Sequence, residues 1–197
     1  MIPYRPPIRA RYSAATTGHY LATAAAQEMF SLGGNAVDAA ASACFCLNIL
    51  EPEQNGLGGE VPVLVYEPDS QKVHVVCGMG LSPKGLDQSF FAENDIPLIP
   101  GDGYLGSCVP SVVGTWALAL RRFGRLSFEQ ILTPALKLAI RGFPMYERLH
   151  NYLREENDRI HRDYPSTWEL YYRDGEPVPV GEPVANEALA KVFMHIV

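Results

Sequence analysis

No stretch of the 197-residue sequence stays apolar for the roughly 20 residues that a bilayer-crossing helix needs. The longest apolar run, Ala36 to Leu50, is interrupted by Asp38, Ser42 and Asn48, so no transmembrane helix is expected. No secretory leader is expected either, because Met1 to Arg11 carries Arg5, Arg9 and Arg11 among three prolines in place of an apolar segment. The cytoplasm is the expected compartment. Lysine and arginine total only 16 against 22 acids, a net charge of -6, and they form no cluster able to displace counterions from a phosphate backbone, so nucleic acid is not an expected partner. Cysteine is scarce: Cys44, Cys46, Cys77 and Cys108 never take CxxC spacing, sit in apolar surroundings and are expected to be buried free thiols. His19, His74, His150, His161 and His195 form neither HxxxH nor HExxH, and no glycine loop ends in GK[ST]. No metal or cofactor is expected.

What is present is the composition of a folded chain, 47% apolar, 10% aromatic and 19% charged. Ser13 to Thr17 offer N-caps for a helix on Tyr20, Leu21, Ala24, Ala25, Met29 and Phe30, which stops at Gly33-Gly34. Asn35 caps a second helix reaching about Leu47, with Asp38 in its first turn. That helix is apolar or small on nearly every side, so it is expected to need neighbours on more than one face. Residues Glu51 to Glu60 hold three glycines and a proline and read as a shaped loop. Val61 to Tyr66 and Lys72 to Cys77 read as a hairpin of half to fully buried strands. A short helix is expected near Gln88 to Asn94, then one over Ser111 to Phe123 ended by Gly124. Ser127 and Gln130 form a capping box, Thr133-Pro134 is expected to start or kink the following helix, and Gly142 closes it. Met145 to Arg162 predicts one polar surface helix with Leu149, Leu153 and Ile160 as its stripe, and Asn186 to Ile196 a last one, at which the chain reads as cut rather than finished.

Several of these stretches together resemble a known family. Gly33-Gly34-Asn35-Ala36-Val37-Asp38-Ala39-Ala40, Asn48 to Pro52 and Gly56-Leu57-Gly58-Gly59 are similar to the opening of gamma-glutamyltranspeptidases. The likeness continues in order through Val63 to Tyr66, Ser82-Pro83, Val109 to Trp116, Phe123 to Ser127 and Ala139 to Pro144. The resemblance implies an α+β fold, the four-layer αββα sandwich of N-terminal-nucleophile hydrolases. Residues 1–197 would be one partial domain that supplies mainly helices and a few strands. It also implies a self-cleaving precursor whose small-subunit portion carries a threonine activated by its own α-amine. No catalytic residue is then expected in this chain, whose partners would be that portion and a small-molecule amide or gamma-glutamyl substrate.

The family's large subunit holds a substrate α-carboxylate with the Arg of an Arg-Glu-x-Ala-Pro motif, and the matching stretch here is Met79-Gly80-Leu81-Ser82-Pro83. Met79 and Gly80 are therefore the candidate substrate-binding positions, substituted relative to the family. Losing a charge-assisted, two-pronged contact weakens carboxylate binding by on the order of 2–3 kcal/mol. The resemblance thus points to a divergent amidase or acylase with a non-glutamyl substrate. Three other readings compete. The Gly56 to Gly59 loop is either a pocket wall or a turn required by backbone geometry. Cys108 could be a thiol nucleophile with His19 or His74 as base, although no cysteine-hydrolase signature surrounds it. Finally, the chain could be a noncatalytic remnant or an interaction module.

Overall fold

The computed structural model describes residues 8–197, so the leader-peptide expectation, which turns on Met1 to Arg11, lies largely outside the described residues. The first two helices, α1 (Tyr20–Ser31) and α2 (Ala36–Leu50), form a tightly packed pair. The N-cap of α1 is His19, not one of Ser13 to Thr17: its Nδ1 accepts from the Leu21 N–H at 3.2 Å. An imidazole nitrogen satisfies the orphan helix donor there, a role outside the usual Ser, Thr, Asp and Asn set. In α2 the expected Asn35 cap is present and is extended into a full capping box, with Asn35 Oδ1 accepting from Val37 and Asp38 while Asp38 Oδ2 accepts from the Asn35 N–H at 2.7 Å.

Helix α2 continues to Leu50, three residues beyond the expected end, because nothing before Glu51 breaks it. It is covered by α1, by α4 (Val112–Phe123) and by α5 (Phe128–Arg141). Val37, Ala39, Ala41, Ala43, Phe45, Cys46, Ile49 and Leu50 are all buried, so neighbours within this chain already wrap it. Phe45 anchors this core, edge-on to Phe128 at 5.8 Å and to Phe193 at 6.2 Å. Truncating such a ring to Ala costs about 3–5 kcal/mol.

The hairpin of β1 (Val63–Glu67) and β2 (Lys72–Val76) forms in the register Leu64↔Val75 and Tyr66↔Val73. Its strands are not buried on both faces. Leu64, Tyr66, Val73 and Val75 share one face and are 60–73% exposed, whereas Val76 on the other face is buried near α4. The short helix α3 (Gln88–Glu93) is capped by Asp87.

Helix α5 starts at Phe128 because the Ser127–Gln130 box fixes it there, with bonds of 3.2 and 2.9 Å, and Pro134 lies inside the helix instead of starting it. The expected helix over Met145 to Arg162 is broken into α6 (Glu147–Glu155) and α7 (Asn157–Asp163) at Glu156. A third piece, α8 (Pro165–Tyr171), follows Tyr164, which the next proline holds out of helical geometry. Leu149, Leu153 and Ile160 are nevertheless all buried as the stripe required. Two further pairings close the fold: β3 (Phe143–Pro144) with β6 (Pro183–Val184), and β4 (Tyr172–Arg173) with β5 (Glu176–Pro177). Helix α9 (Glu187–Ile196) packs on α5 under an Asn186 cap. Helices dominate the described residues, with strands only in short antiparallel pairs, as an α+β chain supplying mainly helices was expected to show.

Of the four thiols expected to be buried, only Cys46 is; Cys44 and Cys108 are half-buried and Cys77 is exposed, since it follows the last residue of β2 into a loop. All four are free. No helix among the described residues is long and apolar enough to cross a membrane.

Candidate functional site

The end of β2 brings Met79 and Gly80 against two other segments. The Val61 N–H donates to Gly78 O at 2.9 Å, the Ser111 N–H to Gly59 O at 3.1 Å, and Ser111 Oγ to Gly78 O at 2.5 Å. The Val109 N–H donates to Leu81 O at 2.8 Å. Loop Gly56–Glu60, strand exit Gly78–Leu81 and segment Cys108–Ser111 are thereby tied together by backbone bonds, with the Ser111 hydroxyl adding a side-chain bridge between two of them.

Within this knot Gly80 has no room for a side chain. An added Cβ would meet Cys108 Sγ, lie 2.6 Å from Cys108 Cβ and 2.6 Å from Val109 O. Its N–H donates to Glu60 Oε2 at 3.3 Å. Met79 beside it is 53% exposed, facing solvent instead of filling the core. Gly56 and Gly58 behave differently: neither has positive φ, and a Cβ on either would meet nothing within 4 Å. Backbone geometry does not demand glycine at those two positions, so the loop presents bare backbone to open space.

The imidazoles that could have served Cys108 are engaged elsewhere. His19 caps α1 and lies 4.7 Å from the Tyr20 ring and 5.2 Å from the Tyr146 ring, while His74 sits between Glu67 and Arg122 at 3.3 Å from each. Burial lowers the proton affinity of His19, with the Glu53 charge working in the opposite direction. Burial first, then the charges of Glu28 and Cys44, pushes the Cys46 thiol up to about 12, so it is no thiolate at neutral pH. Nor do the acids of the loop converge on one partner. Glu51 is buried, Glu53 Oε1 accepts from Tyr146 Oη at 3.4 Å, and Glu60 serves Gly80.

Sequence reasoning missed one other polar center. Asp38 is fully buried, and its carboxylate accepts from the Asn35, Arg125 and Leu126 backbone N–H groups at 2.7–3.2 Å. Asn35 Nδ2 also donates to Phe123 O at 2.6 Å. The first turn of α2 thus fastens the α4–α5 connection. Gly124 in that connection is required by close approach, since a Cβ would stand 2.7 Å from Leu120 O and 2.9 Å from Asp38 Oδ1.

The family model for gamma-glutamyltranspeptidase matches residues 22–197. The chain belongs to the gamma-glutamyltranspeptidase family. It corresponds to the large-subunit region, and its fold is that of the family's solved members. It is 34% identical over 174 residues to the glutathione hydrolase-like YwrD proenzyme of Bacillus subtilis, covering 87% of this chain and 32% of that protein. It is 29% identical over 184 residues to the Bacillus subtilis glutathione hydrolase proenzyme, covering 91% and 31%. The Helicobacter pylori gamma-glutamyltranspeptidase superposes with a TM-score of 0.88 at 24% identity, over 97% of this chain and 55% of that one. A cephalosporin acylase from Bacillus halodurans gives 0.80 at 26% identity, over 97% and 38%. The chain spans about a third of the length of the curated relatives it matches.

Proposed function

We propose that this chain is the large-subunit portion of an N-terminal-nucleophile amidohydrolase, a scaffold and pocket wall for a threonine carried on the companion portion of the same precursor. The observation that carries this reading is the outer face of the β1–β2 hairpin. Leu64, Tyr66, Val73 and Val75 form an apolar cross-strand patch, 60–73% exposed, directly preceding the Gly78–Leu81 exit. An exposed apolar patch of this kind marks an interaction surface, and a second sheet layer from the companion portion is the proposed cover.

In the proposed chemistry the threonine hydroxyl attacks the amide carbonyl while its own α-amine takes the proton. The leaving amine departs, and the acyl-enzyme passes its acyl group to water or to an acceptor amine. Backbone donors stabilise the developing oxyanion. This chain contributes the bare Gly56–Gly58 backbone and the Met79–Gly80 corner, both open to solvent and tied together through Glu60 and Ser111.

Met79 stands where the family places the arginine that grips a glutamyl α-carboxylate, so the substrate is proposed to be an amide other than an ordinary gamma-glutamyl compound. The cephalosporin acylase among the structural relatives supports the capacity of this fold for other acyl groups. Free thiols, one of them the exposed Cys77, fit a reducing compartment and support a cytoplasmic location. The test is co-production of this chain with the companion portion. Co-purification as one complex that hydrolyses an anilide is expected, and a companion portion that neither binds nor confers turnover overturns the reading.

A further inference from the structure

Resting on that reading, we infer that the Met79–Gly80 corner selects amide substrates whose acyl group carries a positive charge, with Glu60 as the residue that sets the preference. Glu60 is exposed at the rim of the knot, and one of its oxygens already faces inward on the Gly80 N–H at 3.3 Å. None of the ion pairs among the described residues includes it, and its one hydrogen bond within the knot is to a neutral backbone N–H. Gly80 cannot carry a side chain at all, because Cys108 and Val109 O fill the space, and Met79 contributes an exposed neutral thioether.

The charge distribution along the chain points the same way. Residues 12–110, which hold every segment of the knot except Ser111, contain Lys72 and Lys84 as their only Lys or Arg, against eleven Asp and Glu. Residues 111–197 carry eleven of each sign. The acidic surplus of the whole chain therefore lies in the sequence span that includes the corner. An acyl carboxylate arriving there meets repulsion from Glu60, whereas an ammonium meets the Glu60 carboxylate. Because Glu60 is solvent-facing, the preference is a matter of a few-fold to about tenfold and is screened by salt.

The experiment compares kcat/KM of the whole protein in which this chain lies on 4-aminobutyryl and glutaryl p-nitroanilides, which carry an ammonium and a carboxylate respectively beyond the same three methylenes. A preference for the 4-aminobutyryl compound of about tenfold at low salt is expected. Glu60→Gln is expected to cut that ratio about fivefold through KM, with unfolding temperature unchanged. High salt is expected to erode the wild-type ratio and leave that of Glu60→Gln nearly flat. Turnover of both anilides with a ratio that Glu60→Gln does not move overturns this inference and leaves the proposed function standing. Absence of turnover on either anilide, with butyryl and gamma-glutamyl anilides also inert, overturns both.

Discussion

Gly80 and Cys108 occupy a single side-chain volume: the Cys108 thiol stands where a Cβ on residue 80 would project, and Val109 O closes the same space from the backbone side, 2.6 Å from that Cβ position. The glycine and the thiol are therefore a coupled pair, and no larger residue can be introduced at position 80 alone.

Gly80→Ala is expected to lower stability by about 1–3 kcal/mol, as overpacking of a closed site does. Cys108→Gly recovers only part of that loss, because Val109 O stays in place. Met79→Arg, at a 53% exposed position, is expected to stay within about 0.5 kcal/mol of the parent. Urea unfolding of the three variants checks the ordering, and a Gly80→Ala protein as stable as the parent would contradict the close approach.

Asp38→Ala removes the acceptor of the Asn35, Arg125 and Leu126 N–H groups inside a closed site. Stranded donors cost about 1–3 kcal/mol each when no water reaches them, so a loss of at least about 3 kcal/mol is expected. Hydrogen exchange should localise the damage to the α4–α5 connection and the first turn of α2. Uniform loss of protection, with no focus there, would count against the clamp.

Stability is expected to depend on His19 in acid. Burial holds its folded proton affinity below the ordinary value of about 6.5, so below that pH the unfolded chain binds the proton more readily. The stability held with neutral His19 is present above about 6.5 and is lost as pH falls through the lowered folded value. Its Nδ1 must also stay unprotonated to accept from the Leu21 N–H. His19→Asn keeps a capping acceptor and removes the titration, so its melting temperature is expected to fall less between neutral pH and about pH 5 than that of the parent. Equal falls in both proteins would refute the assignment.

Much of the fold was legible because local signals were strong. The Asn35 cap, the Ser127–Gln130 box, the β1–β2 hairpin and the Leu149, Leu153 and Ile160 stripe all follow from spacing. The break at Glu156 was not legible, since Ile160 lies seven residues past Leu153, on the same face of a straight helix. That α2 needs neighbours on more than one face was legible, whereas the choice of α4 and α5 to supply them was not, because long-range packing leaves no local mark. At the candidate site, Met79 and Gly80 are proposed from a motif, and their contacts left no mark in the local sequence. Glu60 and Cys108 are 20 and 28 residues away from Gly80 in the chain, and only the three-segment knot brings them to it.

The hairpin face offers a test of assembly. Leu64→Lys with Val75→Glu places opposite charges directly across the strands, which preserves the pairing while making the patch polar. This chain alone is expected to self-associate less with that double change, and its capture of the companion portion is expected to fall at least tenfold. Light scattering and co-purification read the two effects. Undiminished capture would remove the hairpin from the interface.

The most direct measurement is mass spectrometry and N-terminal sequencing of the whole protein after expression, followed by anilide turnover of a variant in which the first residue of the downstream fragment is changed to alanine. Two fragments are expected, the downstream one beginning with threonine, and the alanine variant is expected to be inactive. A single uncleaved polypeptide that hydrolyses the amide, or full turnover without that threonine, would contradict the assignment of this chain as scaffold and pocket wall for a nucleophile held elsewhere.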